Sequence, residues 1–139
     1  MNTQHRNLSF TDRTKRQFVR GYLDCALWCG IIAPEGIEPG DDYTTRDIDP
    51  KSNREAIREC LDFFQANETD LFAVDVRSTS DGSRPFEILG HDFYLSRNGH
   101  GTGFWDRGYG DIGDKLHRAA AVYGSASLML CEDTLQWVG

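Results

Sequence analysis

The sequence predicts an α+β domain in which an antiparallel sheet of about four strands packs with about three helices, in the order α-α-β-β-α-β-β. Apolar residues recur every three to four positions in the first half of the chain, which is typical of amphipathic helices. In much of the second half they alternate with polar residues between glycine-rich turns, which favours strands. The chain has 139 residues, of which 39% are hydrophobic, enough for one domain with its own core.

The first helix is predicted from residue 11 to about residue 30, after a polar and flexible N-terminus at residues 1–10. The single domain then covers residues 11–139. One side of this helix is apolar and the opposite side is basic. The apolar stripe contains Phe18, Tyr22, Cys25, Ala26 and Cys29. The basic side contains Arg13, Lys15, Arg16 and Arg20.

The second helix is predicted to begin at Pro50. A loop over residues 33–49 precedes it, because that stretch contains two prolines and two glycines, and we expect Tyr43 and Ile48 to anchor the loop to the core. Asp49 can cap the helix, and proline is favoured at the first helical position. The apolar face of the helix is predicted to contain Ile57, Cys60, Leu61 and Phe64.

Two hairpins and a third helix are predicted in the second half, after a flexible loop at residues 78–85. Residues 91–97 and 103–107 are predicted to pair as strands, because the Asn98-Gly99 dipeptide between them is typical of a two-residue hairpin turn. The third helix is expected over residues 114–123. The second hairpin joins residues 126–131 and 134–138.

The first hairpin is also the candidate ligand site. Its glycines would let another molecule approach the backbone closely, and polar side chains surround them. The candidate ligand-binding residues are Arg97, Asn98, His100, Trp105, Asp106 and Arg107. A packing explanation stays open, in which Gly101 and Gly103 make room for the rings of Tyr94 and Trp105.

Catalysis and metal binding are less favoured in the same segment. His100 could act as a general base oriented by Asp106 or Asp92, but no nucleophile motif accompanies it. Asp106, Asp111 and Asp114 offer oxygen ligands, but their spacing lacks the pattern of a calcium-binding loop. We therefore expect no cofactor and no metal, and the pattern leans against an enzyme.

The middle of the chain is strongly acidic. Residues 35–75 contain 12 acidic and four basic residues, in a chain of net charge −7. Such a segment repels nucleic acid and attracts a basic protein surface, so direct nucleic-acid binding is disfavoured. The alternative is a solvated helix face that only aids solubility. The candidate partner-binding residues are Asp41, Asp42, Asp47, Asp49, Glu55, Glu59 and Asp62.

The composition favours a cytoplasmic protein that does not enter a membrane. The longest apolar runs are only a few residues, far below the roughly 18 of a membrane span. The four cysteines lack zinc-binding spacing and fit reduced core positions. They are Cys25, Cys29, Cys60 and Cys131.

The segment HDFYLSRNGHGTGFWDRG resembles a family of small uncharacterised proteins from bacteriophages and other bacterial mobile elements. The segments YLDCALWCG, DDYTTRDIDP and GDKLHRAA are also similar to that family. The likeness covers roughly residues 18–138 and is most specific over residues 97–108. Family members often carry Thr at the place of Ser96 and Ala at the place of Thr102. The resemblance implies no activity, but it implies a setting in the cytoplasm of a bacterial host.

The leading hypothesis is a non-enzymatic accessory protein that binds a host protein or protein complex through its acidic surface. Inhibition of a host defence system, such as CRISPR or restriction, is the role that the resemblance suggests. The alternative is a small-ligand or nucleotide-binding module, or an enzyme, centred on the hairpin from Arg97 to Arg107. A structural homo-oligomer is a third hypothesis, with Trp28, Trp105 and Trp137 as candidates for an apolar patch. The sequence does not determine the oligomeric state.

Overall fold

The computed structural model describes residues 10–36, 43–74 and 84–139, with the side chains of the first helix described from Arg13 onward. Within these ranges the chain forms five α-helices and one two-stranded antiparallel sheet. The predicted sheet of four strands with three helices is therefore wrong, because the first predicted hairpin is helical. The elements are α1 (Phe10–Trp28), α2 (Pro50–Ala66), α3 (Glu68–Ala73), α4 (Pro85–Arg97), α5 (Asp111–Ala121), β1 (Ser127–Cys131) and β2 (Thr134–Val138).

The first two helices lie where the sequence predicts them. The apolar stripe of α1 is buried, with Phe18 and Ala26 fully inaccessible to solvent. The Asp49 carboxylate caps α2 by accepting hydrogen bonds from the backbone amides of Lys51 and Ser52, at 3.2 and 3.3 Å. Both helices are thus specified locally, by apolar spacing and by the Asp-Pro start signal.

Two glycines bring α1 and α4 into close contact. A Cβ atom on Gly21 would overlap the backbone carbonyl of Glu87, and a Cβ atom on Gly90 would overlap that of Phe18. Each glycine therefore lets the backbone of one helix touch the backbone of the other. This crossing needs residues 85–97 to be helical, so it decides the conformation of that segment.

The Asn98-Gly99 pair ends α4 and does not form a hairpin turn. Gly99 has a φ angle of +65°, and its amide donates to the Ser96 carbonyl at 3.3 Å. The amide of His100 donates to the Leu95 carbonyl at 3.2 Å. These two bonds are the Schellman arrangement that closes a helix with a left-handed glycine. The prediction failed because an Asn-Gly pair supplies the same backbone freedom to helix ends and to hairpins.

The predicted return strand at residues 103–107 is a short 3-10 turn over Phe104–Asp106. Gly103, with a φ angle of +133°, lies so close to α4 that a Cβ atom would overlap the Ser96 hydroxyl. The Ser96 hydroxyl accepts a hydrogen bond from the Phe104 amide at 3.2 Å. The chain after α4 therefore folds back onto that helix, and Phe104 is fully buried against it.

The second predicted hairpin is present as β1 and β2, which pair from Ser127 with Val138 to Cys131 with Thr134. Two residues from the segment between α1 and α2 pair with this hairpin through isolated bridges. Ile32 bridges to Met129 on β1, and Ile48 bridges to Leu135 on β2. The anchoring role expected of Ile48 is thus confirmed, and its side chain is buried.

One cluster of buried side chains holds these elements together, with members from all five described helices and both strands. Its centre is aromatic: the rings of Phe63 and Phe93 stack at a centroid distance of 4.2 Å, and Phe18 packs beside both. None of the helices in the described residues is long and apolar enough to cross a membrane. Most of the predicted flexible segments, residues 1–10 and 78–85, lies outside the described residues, but Phe10 begins α1 and Pro85 begins α4, so the predicted bounds are wrong at those ends.

Candidate functional site

Arg97, the first of the predicted ligand-binding residues, is buried in the core and only 5% exposed. Its guanidinium donates to the carbonyls of Gly124 and Tyr123, at 2.8 and 3.0 Å. It also donates to the Tyr22 hydroxyl at 3.0 Å and forms an ion pair with Glu59. All these acceptors belong to the chain itself, so Arg97 joins α1, α2, α4 and the end of α5.

Two further residues of the predicted ligand site also bind within the chain. Arg107 donates to the carboxylate of Asp92 at 2.8 Å, and Asp92 is fully buried. Asp106 accepts from the Thr102 hydroxyl at 2.8 Å and from the Gly103 amide at 3.0 Å. The Arg107 contact fixes the segment after α4 against that helix, whereas the Asp106 contacts lie within the segment.

Asp92 is the most unusual ionisable group of this region. Its Oδ2 atom has no hydrogen-bond partner among the described residues, although the Arg107 guanidinium binds Oδ1. Burial raises the pKa of Asp92 from its ordinary 3.8 to about 6, and Arg107 offsets only part of that shift. The carboxylate is enclosed by the fold, so its ionisation affects stability.

The remaining predicted ligand residues do not converge on a cavity. The Asn98 side chain accepts from the Ala126 amide at 2.8 Å and donates to the Tyr94 carbonyl at 2.9 Å. His100 is exposed, and Trp105 is 46% exposed with its ring edge-on to His117 at 6.4 Å. The packing alternative is not confirmed either, because a Cβ atom on Gly101 would meet no described atom within 4 Å and one on Gly103 would meet Ser96 and not the rings of Tyr94 and Trp105.

The seven predicted partner-binding carboxylates have different surroundings. Asp41 and Asp42 lie outside the described residues. Asp49 caps α2, and Asp47 accepts from the Thr44 amide at 2.8 Å. The other three follow one edge of α2 at positions i, i+4 and i+7, and they are Glu55, Glu59 and Asp62. Glu59 pairs with Arg97, Asp62 accepts from the Tyr123 hydroxyl at 2.6 Å, and Glu55 is exposed.

An open groove lies between α1 and α2, which sequence reasoning did not identify. Its volume is about 800 Å³. Its floor is apolar, formed by Val19 and Leu23 from α1 and by Ile57 and Leu61 from α2. We call this feature the α1–α2 groove.

The rim of the α1–α2 groove is basic. Lys15, Arg16 and Arg20 come from the predicted basic side of α1, and Arg46 comes from the 3-10 turn over Thr45–Asp47 before α2. None of these four cations forms an ion pair with another described residue. One carboxylate, Asp24, also lines the groove. The lining therefore has a surplus of three positive charges in a chain of net charge −7.

A signal for the groove was present in the sequence but was interpreted differently. The predicted apolar face of α2 included Ile57 and Leu61, yet the buried face is centred on Cys60 and Phe63. Ile57 is half-buried and Leu61 is 36% exposed. The helix therefore carries more apolar surface than the fold covers, and the surplus faces the basic side of α1.

The described residues contain no group of three or more His, Cys, Asp or Glu side chains placed to hold a metal ion. All four cysteines are free thiols, and the Sγ atoms of Cys25 and Cys29 lie 3.6 Å apart.

No family model matches the chain, and neither the curated proteins nor the solved structures give a significant match. The resemblance to phage proteins stays a prediction.

Proposed function

We propose that this chain is a non-enzymatic binding protein that takes another macromolecule into the α1–α2 groove. The observation that carries the proposal is the combination of an uncovered apolar floor and a rim of four cations without ion-pair partners in the described structure. Apolar area stabilises a complex when water leaves it, and unpaired charges at its edge select and steer the partner.

The shape of the groove favours a macromolecular partner over a small ligand. Small-ligand sites are mostly enclosed and bury 70–90% of the ligand. The α1–α2 groove is instead open and follows two helices for about two and a half turns, from Lys15 to Asp24 on α1. A surface of this form matches an elongated segment of a partner.

The ligand or enzyme alternative at Arg97–Arg107 has less support. Arg97 and Asn98 use their polar groups on contacts within the chain, so an added ligand would have to break those contacts. Asp106 and Arg107 also bind within the chain, although both side chains are exposed. His100 and Trp105 are accessible, but neither lines the two cavities found in the described part of the chain. That the partner belongs to a host defence system stays a prediction from the resemblance.

Capture from a bacterial lysate tests the proposal. The protein would be immobilised as wild type, as the double variant Arg16→Glu/Arg20→Glu, and as Arg118→Glu, which reverses an exposed charge on α5. We expect the same retained protein on wild type and Arg118→Glu, and its loss on the groove variant. Equal retention on all three proteins would show that the groove is not the binding surface.

The acidic edge of α2 supports a second candidate surface. Glu59 and Asp62 are held by Arg97 and by the Tyr123 hydroxyl, so a basic partner would meet fixed carboxylates. Against it, Glu59 is already neutralised by Arg97. The variant Glu55→Lys/Asp62→Lys in the same capture experiment separates the two surfaces, because it should release only a partner that uses this edge.

A further inference from the structure

We infer that the α1–α2 groove takes an acidic amphipathic helix of a partner protein. This inference rests on the proposed function and names the chemistry of the occupant. Two features of the floor and rim lead to it: the spacing of the apolar residues, and the sign and position of the charges.

The apolar floor has helical spacing on both walls. Val19 and Leu23 are four residues apart on α1, and Ile57 and Leu61 are four residues apart on α2. Each pair forms a ridge along its own helix, and the furrow between two such ridges accepts the apolar stripe of a third helix. The walls between Lys15 and Asp24 extend for about 14 Å, which corresponds to about nine residues of a bound helix.

An extended strand is a poorer occupant than a helix. Strand addition needs an exposed sheet edge, whose free amides and carbonyls pair with the incoming chain. Both walls of the groove are helices, whose interior backbone groups already bond to one another. Side chains therefore have to supply the binding energy, and a helix presents its apolar side chains as one stripe.

The rim selects an acidic partner. Lys15, Arg16, Arg20 and Arg46 line the groove, and Asp24 is the one carboxylate among the described lining residues. Glu or Asp residues that flank the apolar stripe of a bound helix would face these cations. A segment with basic flanks would be repelled by the same rim.

Single-stranded nucleic acid is the other anionic occupant to consider, and it fits the floor less well. Proteins bind single strands without sequence preference by stacking the bases on aromatic side chains. The described residues that line the groove are aliphatic or polar, and none is aromatic. The cations could meet phosphates, but the floor offers no stacking partner.

Labelled synthetic peptides test the inference. The probe is a 12-residue peptide, held helical by a lactam bridge, with Leu at positions 2, 5, 6 and 9 and Glu on both flanks. Its controls are the same peptide with a central proline, a version with Lys in place of Glu, and a ten-residue oligothymidine. Binding is measured by fluorescence anisotropy at 0.05 and 0.15 M salt. The proteins are wild type, Arg16→Glu/Arg20→Glu, Leu61→Ser and Arg118→Glu.

We expect the acidic helix to bind wild type and Arg118→Glu equally, and to bind the charge-reversed variant at least tenfold more weakly. The proline peptide should also lose at least tenfold, because proline disrupts the helix. Leu61→Ser should weaken binding at both salt concentrations, whereas the Arg16→Glu/Arg20→Glu effect should shrink at 0.15 M. The Lys peptide should prefer the charge-reversed variant, which separates a charge effect from misfolding.

Three outcomes would overturn the inference. Tighter binding of oligothymidine than of the acidic helix would assign the groove to nucleic acid. Equal binding of the proline peptide would remove the helical requirement. Absence of peptide binding at 1 mM, together with lysate capture that depends on Arg16 and Arg20, would refute the acidic helix but leave the proposed function standing. Loss of that capture dependence would refute the proposed function itself.

Discussion

Replacing Arg97 with alanine should destabilise the protein severely. The substitution removes the donor to the buried Tyr22 hydroxyl and to the Tyr123 carbonyl, both at 3.0 Å. It also removes a guanidinium that lies over the rings of Phe93 and Tyr123, at 5.9 and 5.6 Å from the centroids. The residue is therefore a structural centre, although the sequence predicts it as a ligand contact.

The size of the effect follows from which partners water can reach. Glu59 has a side chain that is 31% exposed and Gly124 is exposed, so water replaces much of what these two lose. The Tyr22 hydroxyl loses its donor at a buried site, at about 1–3 kcal/mol, and the part-buried Tyr123 carbonyl loses about 1 kcal/mol. With the lost ring contacts, we expect the free energy of unfolding to fall by about 3 kcal/mol. That is a large part of the roughly 5–15 kcal/mol that stabilises a typical domain.

Urea unfolding followed by circular dichroism measures this loss. Arg97→Lys keeps the charge but cannot reach all four acceptors with one ammonium group, so it should recover only part of the stability. Arg118→Ala, at an exposed position on α5, is the matched control and should stay within about 0.5 kcal/mol of wild type. A loss below about 1 kcal/mol for Arg97→Ala would refute the assignment of Arg97 to the core.

Three further predictions concern the same core and its surface. Gly90→Ala should lower the free energy of unfolding by at least about 2 kcal/mol, because its Cβ would overlap the Phe18 carbonyl; near-neutral behaviour in urea would contradict the α1–α4 crossing. Asp92→Asn should gain roughly 2–3 kcal/mol relative to wild type as the pH rises from 4 to 7. The pKa of the Asp92 carboxyl is about 6 in the folded protein and 3.8 in the unfolded chain, so between these values the folded state binds more protons. Raising the pH through this range removes the proton from the folded state and lowers the stability of wild type. A pH-independent difference between the two proteins would exclude this. His100→Ala should change stability by less than about 1 kcal/mol, since the side chain is exposed; a larger loss would contradict that exposure.

The sequence by itself determined the elements whose signals are local. The apolar repeat of α1, the Asp49-Pro50 start of α2 and the pairing of β1 with β2 all depend on residues within a few positions of one another. Such signals act through side-chain spacing and capping, which the chain carries wherever it is placed. The sequence also indicated the residues of the groove, namely the apolar residues of α2 and the cations of α1, but not that they lie together.

Only the tertiary structure decided the conformation of residues 85–107. Phe93, Tyr94 and an Asn-Gly pair suit a hairpin as well as a helix end, so local preference leaves both open. Packing settles the choice: Gly90 lies against the backbone of α1, and Arg97 reaches acceptors on three other segments, which a strand would not align. The groove likewise exists only because α1 and α2 lie side by side, since each helix supplies only one of its two walls. Contacts between residues far apart in the chain determine both the conformation of residues 85–107 and the α1–α2 groove. The periodic pattern of a single segment does not specify which distant segments it contacts.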